Sequence, residues 1–163
     1  MMMKKTNAAR ILDTLKIAYQ LKEYKVDPDN LSADNVAAKI GMPLAQVFKT
    51  LVARGDKTGV VMACLPGSGE LDLKALAQVS GNKRVEMVHL KEVQGLTGYI
   101  RGGVSPLGVK KPYPVYFDES ILNWDAIAVS AGIRGAQLTV APTDLIRAAN
   151  GTVASISRLM AEQ

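Results

Sequence analysis

The pattern of apolar and polar residues along the chain predicts helices and strands that are interleaved from end to end. Apolar residues at helical spacing indicate amphipathic helices, and short apolar or alternating runs between turn signals indicate strands. The predicted helices cover residues 7–18, 32–40, 71–81, 91–98 and 142–151. The predicted strands cover residues 19–26, 46–54, 59–65, 85–90, 115–121, 126–130, 136–140 and 152–157.

Turn chemistry supports these boundaries. Ser32 is suited to the N-cap of the second helix and Gly41 to its C-cap, and the GDKTG stretch at 55–59 is typical of a hairpin. Because the early strands pair by a hairpin rather than by a crossover, we expect an α+β fold. Its predicted form is a curved, largely antiparallel mixed β-sheet or barrel with helices packed on it. Residues 1–163 contain no repeat or linker and are predicted to form a single domain.

Composition is that of a soluble globular protein, with 48% hydrophobic and 21% charged residues. The net charge of +5 permits binding to a polyanion without establishing it. The basic N-terminal stretch is interrupted by Arg10, Asp13 and Lys16, so it does not have the apolar core of a signal peptide. No apolar run reaches the length of a membrane span. We therefore expect a cytoplasmic protein with no membrane partner.

Several kinds of catalytic centre are missing from the sequence. Cys64 is the single cysteine and His89 the single histidine, and no set of residues has metal-ligand spacing, so we expect neither a metal site nor a cofactor. Neither the G-x-S-x-G motif nor a P-loop is present. Cys64 is interpreted as a small buried hydrophobic residue and His89 as a surface or strand-end residue.

Three features remain as candidates for a functional site. Lys49 stands within the apolar run of residues 48–53, either as a solvated strand residue or as a cation held in a pocket. The RGGVSPLG stretch at 101–108 is either a connector or a shaped binding loop. In VSAGIRG, residues 129–135, a strand ends in small residues that would let a ligand approach backbone N–H groups.

These features occur in an order that resembles the YbaK family of aminoacyl-tRNA deacylases, whose domain also occurs within bacterial prolyl-tRNA synthetases. The resemblance extends from about residue 7 to residue 157. It rests on the stretches EYKVDP, VFKTLV, KRVEMV, TGYIRGGVSPLG, VSAGIRG and APTDLIR taken together. It implies a trans-editing hydrolase for mischarged tRNA(Pro), most readily Cys-tRNA(Pro), with prolyl-tRNA synthetase as a partner. Editing is needed because small side chains differ by only ~1–3 kcal/mol in binding.

The resemblance also implies roles for particular residues. Lys49 corresponds to the essential lysine of the family, with an electrostatic role toward the reacting ester or the tRNA terminus. Gly102–Pro106 corresponds to a loop that approaches the substrate carbonyl through backbone donors. The complete substrate-binding set implied is Tyr24, Phe48, Thr50, Leu51, Gly102, Gly103, Val104, Ser105, Pro106, Ser130, Ala131 and Gly132.

For cysteinyl substrates the resemblance implies attack by the thiol of the substrate itself, which would explain the missing protein nucleophile. The chain departs from the family pattern at Ala131, Ile133 and Gln137, which stand where Gly, Lys and Asp or Ser are usual. These departures affect the expected amino-acid specificity rather than the reaction class. Two alternatives stay open: deacylation of another tRNA such as Ala-tRNA(Pro), and non-catalytic binding of tRNA or synthetase.

Basic residues that could hold the tRNA phosphates are Lys83, Arg84, Arg101, Lys110, Lys111 and Arg134.

Overall fold

The computed structural model describes residues 5–159, in which five α-helices and ten β-strands are interleaved. The helices are α1 (Asn7–Thr14), α2 (Ala33–Ile40), α3 (Leu73–Ser80), α4 (Leu90–Thr97) and α5 (Pro142–Ala148). The strands are β1 (Tyr19–Glu23), β2 (Phe48–Gly55), β3 (Gly59–Pro66), β4 (Gly69–Leu71), β5 (Val85–Met87), β6 (Val115–Asp118), β7 (Ile127–Ser130), β8 (Ala136–Val140), β9 (Thr152–Ala154) and β10 (Ser157–Leu159). Two short 3-10 helices cover Leu44–Gln46 and Glu119–Asn123.

The strands form three sheets. The largest has the order β5-β2-β3-β6-β9, in which β2 pairs antiparallel with β3 and β5 while β6 pairs parallel with β3 and β9. An antiparallel sheet of order β1-β8-β7 and an antiparallel pair of β10 with β4 complete the set. A parallel bridge joins Val47 to Ala128, just before β2 and within β7. The start of β2 therefore lies where the two larger sheets meet.

Local sequence explains most of the element ends. The Ser32 hydroxyl accepts a hydrogen bond from the backbone N–H of Asn35, and α2 ends at Gly41 with φ +69°. Asp72 caps α3 in the same way, and Gly81 ends it with φ +79°. The hairpin between β2 and β3 turns at the predicted residues 55–59.

Other elements end earlier than the pattern predicts. Helix α1 stops at Thr14 rather than at residue 18, because Lys16 adopts a left-handed conformation with φ +59°. Strand β5 stops at Met87, since His89 already forms the N-cap of α4 and its backbone N–H donates to the Glu92 carboxylate at 3.2 Å. The predicted strand 152–157 divides into β9 and β10.

Strand β3 separates the two main parts of the core. Its side chains alternate, and Met62 and Cys64 pack on one face of the sheet while Ala63 and Leu65 pack on the other. Burial on both faces explains why this strand is almost entirely apolar. The larger cluster joins α1, the second 3-10 helix and the β1-β8-β7 sheet through residues that include Leu12, Ile121, Ile127 and Leu138. The smaller one packs α3 on the sheet through Leu76 and Ile156.

The predicted fold class is confirmed. One sheet is mixed and two are antiparallel, and five of the seven pairings between described strands are antiparallel. The described strands form open sheets rather than a closed barrel. Within residues 5–159, no helix combines the length and apolar character needed to cross a bilayer.

Candidate active site

A cavity of about 460 Å³ opens where β2, the start of α2 and the glycine-rich loop after α4 come together. Its wall includes Phe48, Lys49 and Thr50 from β2, Asp34 from α2, and Gly102 from the loop. Its volume lies within the range that small-molecule sites occupy. Two of the three sequence features, Lys49 and the loop, therefore share one concave surface, and the third reaches it through the end of β7.

Lys49 is half-buried at the wall of this cavity, and its Nζ donates a hydrogen bond to the backbone carbonyl of Gly69 at 2.7 Å. Burial lowers the pKa of Lys49, and the negative charges of Asp34 and Glu70 partly oppose that change. Leu51 and Ala53 lie on the same face of β2 as Lys49; Ala53 is buried in the smaller core cluster and Leu51 packs against it. Lys49 is thus a cation held against an apolar strand, which is the pocket interpretation of the two that the sequence left open.

Two glycine-rich segments pack against each other beside the cavity. A side chain at Gly103 would lie 3.2 Å from the backbone of Ile133, so the close approach of the two segments depends on glycine. The Arg134 guanidinium donates to the backbone carbonyl of Arg101 at 2.8 Å. The loop and the turn that follows β7 therefore form one supporting unit.

Tyr99 contacts both the glycine-rich loop and the turn that follows β7. Its hydroxyl donates to the carbonyl of Leu107, and its ring lies where a side chain on Gly132 would come within 2.8 Å. Burial raises the pKa of Tyr99 to about 12, so the hydroxyl stays a donor at neutral pH. Gly132 itself has φ +101°, a conformation that favours glycine.

The predicted substrate-binding residues fall into two groups. Those that line the cavity are Phe48, Thr50, Leu51, Gly102, Val104 and Ser130, beside Lys49. The others lie outside its lining and are Tyr24, Gly103, Ser105, Pro106, Ala131 and Gly132.

Residues of the second group have structural contacts. Tyr24 packs on the cluster of Val36 and Ala37 in α2, and Ala131 is fully buried in the larger core cluster. Ser105 is also fully buried, and its hydroxyl accepts from the N–H of Leu107 at 3.3 Å. These positions support the wall of the cavity from behind.

Neither of the two residues that most often act as nucleophile or base is part of the cavity wall. Cys64 is fully buried, burial raises its pKa to about 12, and Thr50 donates to its sulfur at 3.8 Å. His89 is exposed and lines a separate cleft of about 320 Å³ with Arg54 and Arg84. Among residues 5–159, no cluster of three or more His, Cys, Asp or Glu could hold a metal ion.

With this geometry in view, comparison with known proteins identifies the family. The model of the aminoacyl-tRNA editing domain matches residues 27–148, which include Lys49, the loop and the turn after β7. The chain belongs to the aminoacyl-tRNA editing domain family. The predicted resemblance is therefore confirmed, and with it the assignment to a family of aminoacyl-tRNA deacylases.

Individual relatives agree with this assignment. EbsC of Enterococcus faecalis, a candidate Cys-tRNA(Pro)/Cys-tRNA(Cys) deacylase, is 49% identical over 94% of this chain and 93% of its own length. A proline–tRNA ligase of Shouchella clausii is 32% identical over 72% of this chain, which corresponds to 20% of the ligase. The crystal structure of a candidate trans-editing enzyme for prolyl tRNA synthetase superposes with a TM-score of 0.81 at 26% identity, covering 95% of this chain and 99% of that one.

The cavity also involves residues outside the predicted substrate-binding set. Asp34, Arg101 and Gln137 line the cavity, and Tyr99 supports it. Asp34 follows the N-cap of α2, and that capping signal was visible in the sequence, but its approach to Lys49 depends on how α2 packs. Gln137 was noted as a departure from the family pattern, and the structure places it on the cavity wall.

Three of the six basic residues proposed to hold tRNA lie at or beside the site. Arg101 lines the main cavity, and Arg134 donates a hydrogen bond to the backbone carbonyl of Arg101. Arg84 lines the neighbouring cleft. Met87 and Val88 contribute to both concavities. The neighbouring cleft also contains Asp56, Glu86 and Glu92, so Arg101 is the basic residue best placed to contact a phosphate at the main cavity without reading a base sequence.

Proposed function

We propose that this protein is a trans-editing hydrolase that deacylates mischarged tRNA(Pro), with Cys-tRNA(Pro) as its main substrate. The observation that carries the proposal is Lys49, a half-buried cation on the wall of a cavity in an editing-domain fold. The name of the EbsC relative, which is 49% identical, supports cysteine as the amino acid removed. Proline–tRNA ligases among the relatives support tRNA(Pro) as the carrier and prolyl-tRNA synthetase as a functional partner.

Lys49 acts through its charge rather than as a base. The ammonium group can stabilise negative charge that develops on the carbonyl oxygen of the ester in the transition state, where a fixed cation in a partly desolvated site is most effective. The bond to the Gly69 carbonyl holds it in one place, so little reorganisation is needed when that charge appears. Gly102 and Val104 of the loop bring backbone groups to the same cavity.

The nucleophile comes from the substrate. The sulfur of the cysteinyl side chain bonds to the ester carbonyl carbon, the bond from that carbon to the terminal ribose oxygen breaks, and the thiol proton ends on that oxygen. Water then opens the resulting thiolactone to free cysteine. This scheme requires no thiol from the protein, in agreement with the buried, protonated Cys64. Because tRNA is aminoacylated in the cytoplasm, we expect the activity there.

Release of amino acid from Cys-tRNA(Pro) and Ala-tRNA(Pro) by the wild type and by Lys49→Ala tests the proposal. We expect the wild type to release cysteine, and Lys49→Ala to release it at least about 100-fold more slowly. Preferential release of alanine would overturn the assignment of cysteine and keep the reaction class. Release of neither would contradict the hydrolase and favour binding of tRNA or synthetase without catalysis.

Thiol assistance has its own test. Ser-tRNA(Pro) presents a hydroxyl in place of the thiol on a side chain of nearly the same size. Because a hydroxyl is a much weaker nucleophile at neutral pH than a thiol, we expect hydrolysis of the seryl ester to be slower by about 100-fold or more. Equal rates for the two esters would contradict the thiol-assisted scheme.

A further inference from the structure

Gln137 is a buried polar residue without a hydrogen-bond partner at its amide oxygen. Its side chain lines the cavity and the residue is only 5% exposed. Among residues 5–159, its Oε1 is the single buried side-chain nitrogen or oxygen that lacks a partner. An unpaired buried acceptor destabilises the folded protein, because it has lost its hydrogen bonds to water without replacing them. An unpaired acceptor in the wall of a cavity indicates that a bound ligand donates a hydrogen bond to it.

The position of Gln137 in the fold does not require a polar side chain. Ala136, Leu138 and Val140 of β8 face the larger core cluster, whereas Gln137 and Thr139 face the opposite side. Thr139 is similarly buried, but its hydroxyl reaches the carbonyl of Gln20 at 3.5 Å. Apolar residues such as Val36 line the same cavity, and the Gln137 Oε1 atom has no partner among the described residues. The amide is therefore not explained by packing.

The cavity already contains a hydrogen-bond donor. The Lys49 ammonium can donate to the carbonyl oxygen of an aminoacyl ester. Gln137 lies opposite Ser130 in the pairing of β7 with β8, on another part of the same wall, and its oxygen needs a donor. The strongest donor at the end of an aminoacyl-tRNA is the α-ammonium group of the amino acid, because it is charged whereas the ribose hydroxyl and the adenine amino group are neutral donors.

We propose that the Oε1 atom of Gln137 accepts a hydrogen bond from the α-ammonium group of the aminoacyl ester, so that Gln137 positions the substrate. This inference rests on the proposed function and adds to it a requirement for a free α-amino group. Gln137 touches no reacting atom and orients the ester carbonyl toward Lys49. An uncharged acceptor achieves this without adding a further anion to Asp34 and Glu70, whose charges already act on the Lys49 ammonium.

The test compares two substrates with the same thiol and the same ester. Cys-tRNA(Pro) carries the α-ammonium group, and 3-mercaptopropionyl-tRNA(Pro) lacks it without added bulk. The proteins are the wild type, Gln137→Leu and Gln137→Glu, with Thr139→Val as the matched buried polar-to-apolar control on the same strand face. The measured quantity is kcat/KM for each pair, with the thermal midpoint of each protein.

We expect Gln137→Leu to lower kcat/KM for Cys-tRNA(Pro) by about 10- to 100-fold, the value of a hydrogen bond to a charged group, and to change the deamino substrate by less than about threefold. Its thermal midpoint should be unchanged or higher, because no buried acceptor remains unpaired. Gln137→Glu should retain preference for the ammonium-bearing substrate, and Thr139→Val should leave the ratio of the two substrates at the wild-type value.

Four outcomes would overturn the inference. Equal losses on both substrates in Gln137→Leu would show a general structural effect, and unchanged rates on both would show no role. If the wild type hydrolyses both esters but Gln137→Glu loses all preference, the ammonium contact is wrong while the proposed function stands. If the wild type hydrolyses neither, the proposed function fails and this inference fails with it.

Discussion

The ammonium of Lys49 donates a hydrogen bond to the backbone carbonyl of Gly69, 20 residues further along the chain, at 2.7 Å. Gly69 is the first residue of β4, and a side chain there would lie 3.3 Å from the carbonyl of Arg158 in β10. The position of the cation therefore depends on a short strand pair outside the strand that carries it. This contact leaves Lys49 at the cavity wall instead of extended into solvent.

The first prediction separates the charge of Lys49 from its contribution to folding. Lys49→Met keeps most of the apolar stem and removes the cation, and we expect a loss of about 100- to 1000-fold in the deacylation rate. Because burial lowers the pKa of Lys49, folding disfavours its charged form, so the thermal midpoint of Lys49→Met should be equal to or above that of the wild type. Single-turnover deacylation and thermal unfolding measure the two effects.

Lys74→Met is the matched control for this prediction, because Lys74 is exposed on α3 and is not part of the cavity lining. It should behave as the wild type in both measurements. Lys49→Arg adds a second comparison: it keeps the charge, but the larger planar group does not match the single carbonyl contact, and we expect it to stay impaired. Full activity in Lys49→Met would contradict the electrostatic role.

Much of the local structure followed from short-range signals in the sequence. Ser32 and Gly41 marked the ends of α2, and the glycines of the 55–59 turn marked the hairpin. Strands β4 and β10 could not be predicted, because each is three residues long and exists through pairing with the other across a large sequence separation. The left-handed Lys16 gave no signal either, since most residues with positive φ are glycine.

For the site, the family resemblance indicated Lys49 and the glycine-rich loop, and the residues alone left both with two interpretations. The tether to Gly69 and the stacking of Tyr99 on Gly132 arise from tertiary packing, which a linear pattern does not show. The unpaired oxygen of Gln137 is likewise visible only once its surroundings are known. Sequence reasoning therefore identified the candidate cation but not the contacts that orient it.

A second prediction concerns the contact between Tyr99 and Gly132. In Gly132→Ala the new methyl group would meet the ring of Tyr99 at 2.8 Å, and the backbone has φ +101°, which L-residues rarely adopt. We expect a loss of about 1–3 kcal/mol in the free energy of unfolding, measured by urea denaturation, together with a lower rate of deacylation. The rate should fall because the displaced turn supports the loop at Gly102 and Gly103.

The matched control for that variant is Gly95→Ala. Gly95 lies within α4, and a side chain there has open space within 4 Å. Replacing a helical glycine by alanine should stabilise the protein by about 0.5–1 kcal/mol and leave activity unchanged. If Gly132→Ala were as stable and active as Gly95→Ala, the packing of the turn on Tyr99 would not constrain the site.

A third prediction concerns Cys64. Because burial raises the pKa of its thiol to about 12, the thiolate is scarce at pH 8, and its sulfur is inaccessible to solvent. We expect no measurable reaction with a thiol reagent such as DTNB in the folded protein, and one thiol per chain in denaturant. Cys64→Ala should retain deacylation within about threefold, at some cost in stability from the smaller side chain. Loss of most activity in a stably folded Cys64→Ala would contradict the scheme in which the substrate supplies the thiol.

The last prediction concerns Asp118, which lies away from the cavity and ties β6 to the C-terminal strands. Its carboxylate is 4% exposed and accepts hydrogen bonds from the backbone N–H groups of Ile156 and Ser157 at 3.1 and 3.0 Å, and from the Ser120 hydroxyl at 2.6 Å. Burial alone would raise the pKa of Asp118, but these hydrogen bonds outweigh it and hold the pKa below its ordinary value.

The contribution of Asp118 to the free energy of unfolding should therefore fall as the pH falls. Since the pKa of Asp118 is lower in the folded than in the unfolded chain, its contribution is complete above the unfolded value near 3.8 and is lost as pH falls through the folded value. Asp118→Asn should cost about 2–3 kcal/mol at pH 7, because the amide offers one acceptor oxygen in place of a carboxylate. That difference should shrink as the pH is lowered from about 4 toward about 2. Urea denaturation of both proteins across this range measures it, and a difference that stays constant with pH would show that the charge of Asp118 does not stabilise the fold.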